Sequence, residues 1–192
     1  MKECALVLGP EATGTRLLKR ILMANGWAGG VGPGEDYNVE LFGNTPPRGE
    51  AATNRSHYAL PADPADWPAR VVWRHSFPMG EDWPDIPAML KLLAGRYVVY
   101  TLVTTRDWNA TIESHRRHGA KWTANNLREV YQDIFKGCEY EGIHGGMLKD
   151  WFMISYEAIL DHGMDYLDAV LPWPIMTQVP LVDGNAKYYG LT

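Results

Sequence analysis

The chain has 192 residues and a formal net charge of −5, the length of a single domain spanning residues 1–192 that buries its own core without covalent staples. Hydrophobic residues at 46% and charged residues at 21% exclude a disordered chain, and the acidic balance excludes a general attraction to nucleic acid or anionic lipid. Cys4 and Cys138 are too few and too far apart for a disulfide framework or a thiolate metal site, which points to a reducing cytoplasm.

Only five apolar residues separate Glu3 from Gly9, too few for a signal peptide or a membrane span. Cys4-Ala5-Leu6-Val7-Leu8 reads as a buried strand, and Leu17, Leu18, Ile21 and Leu22 recur at helical spacing. The first unit is therefore strand, tight loop, helix. Residues 27 to about 68 are rich in Gly, Pro and Asn and predict an irregular excursion that helps to form an acceptor-side pocket. Arg70-Val71-Val72-Trp73-Arg74 is a second strand, with His75 at its C-terminal edge. A helix around residues 84–95 leads to the clearest strand, Tyr97–Val103, apolar enough to be covered on both faces. Helical patterns follow at 109–118 and 123–135, then a strand at Trp151–Ser155 and a helix from Glu157. Pro172, Pro174 and Pro180 argue against long regular elements after that. The alternation predicts an α/β fold, three-layered, with a central parallel sheet of about four or five strands.

Gly9-Pro10-Glu11-Ala12-Thr13-Gly14-Thr15-Arg16 joins the first strand to its helix. A turn of this kind aims backbone N–H groups and a helix dipole at an anion. Its Gly-x4-Gly-Thr-Arg spacing is that of a phosphate-binding P-loop, but Thr15 stands at the lysine position and Arg16 at the Ser/Thr position. The loop lacks both the cation for β/γ-phosphates and the Mg²⁺-holding hydroxyl, against an ordinary ATPase or kinase. On this segment alone, a glycine-rich turn without a ligand fits as well.

Together with three later segments, the loop resembles the P-loop-type sulfotransferases that use 3′-phosphoadenosine 5′-phosphosulfate (PAPS), more the compact bacterial or viral members than the longer animal enzymes. Thr13, Gly14 and Thr15 match the family's 5′-phosphosulfate loop, whereas Ala12 stands where that family carries a catalytic cation. Arg106 and Ser114 match its 3′-phosphate signature, an arginine at a strand end and a serine eight residues later on the next helix. An arginine fork plus a neutral hydroxyl suits a phosphate, although Arg106 with Asp107 also reads as a strand-end ion pair. Trp73-Arg74-His75-Ser76-Phe77-Pro78 is similar to the stretch that holds the family's general base, which implies that role for His75. Met153-Ile154-Ser155-Tyr156-Glu157 resembles a late family strand of structural role.

The resemblance implies a transferase that moves a sulfuryl group from PAPS to a hydroxyl acceptor, a carbohydrate or small alcohol, and releases 3′-phosphoadenosine 5′-phosphate (PAP) without a metal. Gly9, Ala12, Thr13, Gly14, Thr15, Arg16, Arg106 and Ser114 would hold the nucleotide. Lys187, in Asp183–Tyr189, would reach the 3′-phosphate, unless that stretch is an ordinary Asp-Gly turn. With Ala12 at the usual site, Arg16 is the first candidate for the cation at the leaving phosphate and Arg74 the second. Strand alternation turns Arg74 and His75 to opposite faces. Two other readings stay open, a small P-loop kinase and a non-catalytic PAPS- or PAP-binding module.

Overall fold

The computed structural model describes residues 2–29, 68–77, 86–119 and 121–186. Most of the excursion at 27–68, Pro78 and Lys187 lie outside the described residues. Strand β1 (Glu3–Pro10) runs into helix α1 (Thr15–Ala24), and β2 (Arg70–Phe77), α2 (Ile86–Ala94) and β3 (Val98–Thr105) follow. Helices α3 (Trp108–Arg117) and α4 (Ala124–Lys136) precede a π-helical segment, Gly137–His144, and β4 (Asp150–Ser155) leads directly into α5 (Tyr156–Val170).

The four strands form one parallel sheet in the order β2-β1-β3-β4. Alternation along the strands separates two cores. Cys4, Leu6, Leu8, Val71, Trp73 and Val103 pack with Met89 and Leu93 of α2 and Val130 and Ile134 of α4. Ala5, Val7, Val72 and Leu102 pack instead with Leu18, Ile21 and Leu22 of α1 and Ile159 and Leu167 of α5. Each of the buried valine, leucine, isoleucine and methionine side chains stabilises the fold by roughly 1.5–3 kcal/mol. Coverage on both sides explains why β1 and β3 read as near-continuous apolar runs. Among the described residues, no helix is long and apolar enough to cross a membrane.

Two boundaries differ from the sequence reading. Strand β2 continues to Phe77, because β1 runs on to Pro10 and pairs Gly9 with Ser76 and Pro10 with Phe77. His75 therefore lies inside the strand, opposite Leu8, and not at its edge. The excursion also begins in an ordered way: Trp27 is buried, and Ala28 bridges to Val71 along the outer edge of β2.

The strand order sets the position of the site. The chain passes from β1 to β2 on one side and returns to β3 on the other, so a crevice opens beyond the C-terminal ends of β1 and β3. Gly9 sits there because nothing larger fits: an added Cβ would collide with Thr104 Oγ1 and stand 2.8 Å from Thr13 Oγ1. Gly9→Ala is expected to destabilise the protein by about 1–3 kcal/mol through overpacking, read as a lowered urea midpoint at unchanged slope.

Candidate functional site

The loop after β1 is held by its own hydroxyls. Thr13 Oγ1 donates to the Pro10 carbonyl at 2.6 Å and lies 2.8 Å from Thr104 Oγ1 at the end of β3. Both threonines are buried, so the turn is fastened to two adjacent strands. Ala12 has φ +67, the left-handed region that an L-residue enters at a cost of about 1–2 kcal/mol. Gly14, at φ +93, is the N-cap of α1, and a Cβ there would stand 2.8 Å from the Tyr156 ring. No side chain caps α1 and no acidic residue occupies its first turn. That end of the helix keeps its positive dipole character.

A cavity of about 610 Å³ opens in front of this turn. Arg16, Arg20, Arg74 and Arg106 line it, with Glu11 as the one acidic residue among the described lining residues. A chain of net charge −5 thus gathers four guanidinium groups around a helix N-terminus, an arrangement that favours an anion.

Arg74 is only 6% exposed and reaches the loop from β2. Its Nη1 donates to Ser76 Oγ at 2.8 Å and to Thr15 Oγ1 at 3.2 Å, and the two hydroxyls are 2.8 Å apart. Thr15 thus anchors a cation supplied by the neighbouring strand. Arg16 is exposed on the first turn of α1. Of the two arginines considered for the cation of this loop, Arg74 is the buried one.

Arg106, buried at the end of β3, donates through Nη1 to the Ala12 carbonyl at 2.7 Å and through Nε to Asn185 Oδ1. Its guanidinium carbon lies 4.9 Å from the centroid of the Tyr156 ring. Asn185 Nδ2 donates to Glu157 Oε1 at 2.9 Å, so the carboxamide stands between the arginine and the carboxylate. Tyr156 ties in the C-terminal segment, its hydroxyl donating to the Val182 carbonyl at 3.0 Å and accepting from Gly184 N at 2.8 Å. Asp107 caps α3 by accepting from Ala110 N at 2.8 Å.

The structure brings Ala12, Gly14, Thr15 and Arg16 together with Arg74, Arg106 and Ser114 on one cavity wall. Ser114 is buried two turns into α3, at the spacing from Arg106 read in the sequence. Gly9 and Thr13 lie behind the wall and shape the turn. His75 is not among the lining residues: Arg74 and Ser76 turn toward the cavity, and His75 takes the other face of β2. Burial, with the Arg74 charge adding to it, lowers its pKa to about 3. Arg20, His115, His118 and Tyr156 also line the cavity, outside the residues marked in the sequence. Arg20 was within reach of the helical pattern, four residues from Arg16 on the exposed side of α1. The others depend on how α3 and α5 pack.

Comparison of the chain with family models, curated proteins and solved structures finds no significant match.

His75 makes a pH prediction. Its folded pKa of about 3 lies below the ordinary 6.5, so the unfolded chain binds the extra proton first and stability falls as pH drops from 6.5 toward 3. Replacing His75 with the non-titrating Asn is expected to flatten that part of the stability profile, measured as the difference between wild-type and variant urea midpoints across the range.

Proposed function

We propose that the chain is a sulfotransferase of the PAPS-dependent, P-loop type, with the cavity beyond β1 and β3 as its nucleotide site. The observation that carries the reading is that Arg16, Arg20, Arg74 and Arg106 line the cavity in front of the uncapped first turn of α1. PAPS has two anionic ends, a 5′-phosphosulfate and a 3′-phosphate, and the cavity wall has two polar clusters to match. Thr15, Arg74 and the N–H groups of the loop suit the 5′ end. Arg106 and Ser114 suit the 3′-phosphate.

When bound, PAPS supplies an activated sulfuryl group and leaves as PAP. The chain's part is positioning and charge stabilisation. Arg74, already oriented by Thr15 and Ser76, offsets negative charge on the leaving phosphate oxygen. Arg16 and Arg20 reach the same cavity from the exposed side of α1 and can neutralise the sulfuryl oxygens. The acceptor is a hydroxyl compound such as a carbohydrate or small alcohol. His75 is the base that the resemblance implies, but its position on the far face of β2 and its lowered pKa do not favour that role.

A second reading, a PAPS- or PAP-binding module without turnover, is favoured by one observation. Ala12 stands at the family's cation position, and its own carbonyl occupies an Arg106 N–H.

Thermal-shift titration separates the readings. PAP and PAPS are expected to raise the melting temperature, since saturation at a hundred times Kd adds about 2.7 kcal/mol. Stabilisation by Mg-ATP and not by PAP would falsify the assignment and leave the kinase. Arg106→Ala is expected to weaken PAP binding by about 1.5–3 kcal/mol. Arg74→Ala is expected to lower kcat by roughly 10²–10³-fold, measured as sulfated product from PAPS over a panel of sugars and alcohols. PAP binding with no product from any acceptor would favour the non-catalytic module.

A further inference from the structure

A guanidinium offers an anion two forked edges, Nη1 with Nη2 and Nε with Nη2. Both edges of Arg106 are closed. Nη1 donates to the Ala12 carbonyl at 2.7 Å, Nε donates to Asn185 Oδ1, and Nη2 is fully buried. The two edges are closed by different parts of the chain. Ala12 belongs to the loop after β1, whereas Asn185 belongs to the C-terminal segment. So does Gly184, where an added Cβ would stand 3.5 Å from Nη2 and 2.9 Å from the Tyr156 hydroxyl.

That segment is pinned twice. Asn25, at the end of α1, accepts through Oδ1 from Met176 N and Thr177 N, each at 2.8 Å. The second pin is at the cavity, where the Tyr156 hydroxyl holds Val182 and Gly184 and Asn185 bridges Arg106 and Glu157. Between the pins Val179 and Leu181 are only partly buried, and Val182 is 79% exposed. Apolar packing here is slight, so the polar contacts carry the attachment, and a segment held in this way opens at low cost. Pro180, Val182 and Gly184 line the cavity, which leaves the segment room to move.

We infer that residues 182–185 compete with the nucleotide for Arg106: the segment closes the Nε–Nη2 edge, and a 3′-phosphate takes that edge by displacing Asn185. The inference rests on the reading of the cavity as a PAPS site with Arg106 at the 3′-phosphate. A phosphate offers this edge two charged oxygens in place of one neutral carboxamide oxygen, the forked arrangement that a guanidinium suits best. Exchange at this edge leaves the Nη1 bond to Ala12 intact, so the loop after β1 keeps its conformation. A nucleotide without a 3′-phosphate leaves the segment seated. The C-terminal segment thereby makes the site selective for 3′-phosphorylated nucleotides.

The test compares two nucleotides on three proteins. PAP and adenosine 5′-phosphate, which lacks the 3′-phosphate, are titrated calorimetrically against wild type, Asn185→Ala and Tyr156→Phe. The first variant opens Nε; the second removes the hydroxyl that holds Val182 and Gly184 but keeps the ring beside Arg106. Each variant is expected to bind PAP about three- to tenfold more tightly than wild type, the range of one intramolecular hydrogen bond. Affinity for adenosine 5′-phosphate is expected to stay the same. A segment that merely buttresses Arg106 gives the opposite sign, weaker PAP binding in both variants. A second measurement does not depend on the variants' folding: in ¹⁵N-labelled wild type, the Gly184 amide and Asn185 side-chain amide resonances are expected to shift with PAP and to stay in place with adenosine 5′-phosphate. Unchanged or weakened PAP binding in both variants, equal tightening for the two nucleotides, or an unmoved Gly184 amide in PAP-saturated wild type overturns the inference and leaves the nucleotide site intact. Failure of PAP to bind wild type and both variants overturns the reading beneath it.

Discussion

The hydrogen bond from Arg106 Nη1 to the Ala12 carbonyl joins the end of β3 to the loop after β1, and the site depends on that join. Ala12 accepts it from a left-handed backbone conformation. Non-glycine residues persist in that region only where their surroundings over-determine it, and here the surroundings are specific: Thr13 fastened to Pro10 and Thr104, Gly14 against the Tyr156 ring, and Arg106 itself. The same guanidinium receives Asn185 and faces Tyr156, which holds Val182 and Gly184. One side chain thus ties two strands, the loop after β1, the start of α5 and the C-terminal segment into a single rim.

Electrostatics follows from that rim. The acidic chain would repel an anion at long range, yet four of its arginines line the cavity in front of the uncapped N-terminus of α1. Burial of Arg74 and Arg106 strengthens their interaction with an anion, because charges are screened less in a crevice than at the surface. Arg74 takes this furthest, being nearly buried and oriented by two hydroxyls. It brings a cation from β2 to the loop after β1, with Thr15 and Ser76 as its anchors.

Much of this was legible beforehand. The apolar runs at 4–8 and 97–103 became β1 and β3, and the helical spacing of Leu18, Ile21 and Leu22 became the buried face of α1. Arg106 and Ser114 met on one wall because an arginine at a strand end and a serine two turns into the next helix are joined by local geometry. The opposite facing of Arg74 and His75 followed from the two-residue period of a strand. The extension of β2 to Phe77 did not follow from local pattern, since it depends on the length of its partner β1. The π-helical turn at Gly137–His144 was likewise unmarked, and Gly137 there lies so close to Ile86 of α2 that an added Cβ would stand 2.7 Å from its Cγ2.

The sequence by itself determined the kind of fold and the chemistry of the loop. Hydrophobic periodicity selects strands and helices, and the glycines between β1 and α1 permit the tight turn that joins them, through forces that act over a few residues. Only the tertiary structure decided which cation lies beside that loop, which loop carbonyls Arg106 and His115 hold, and which face His75 takes inside a lengthened strand. Those outcomes rest on contacts between residues 59, 94 and 104 positions apart, and no local propensity encodes such contacts.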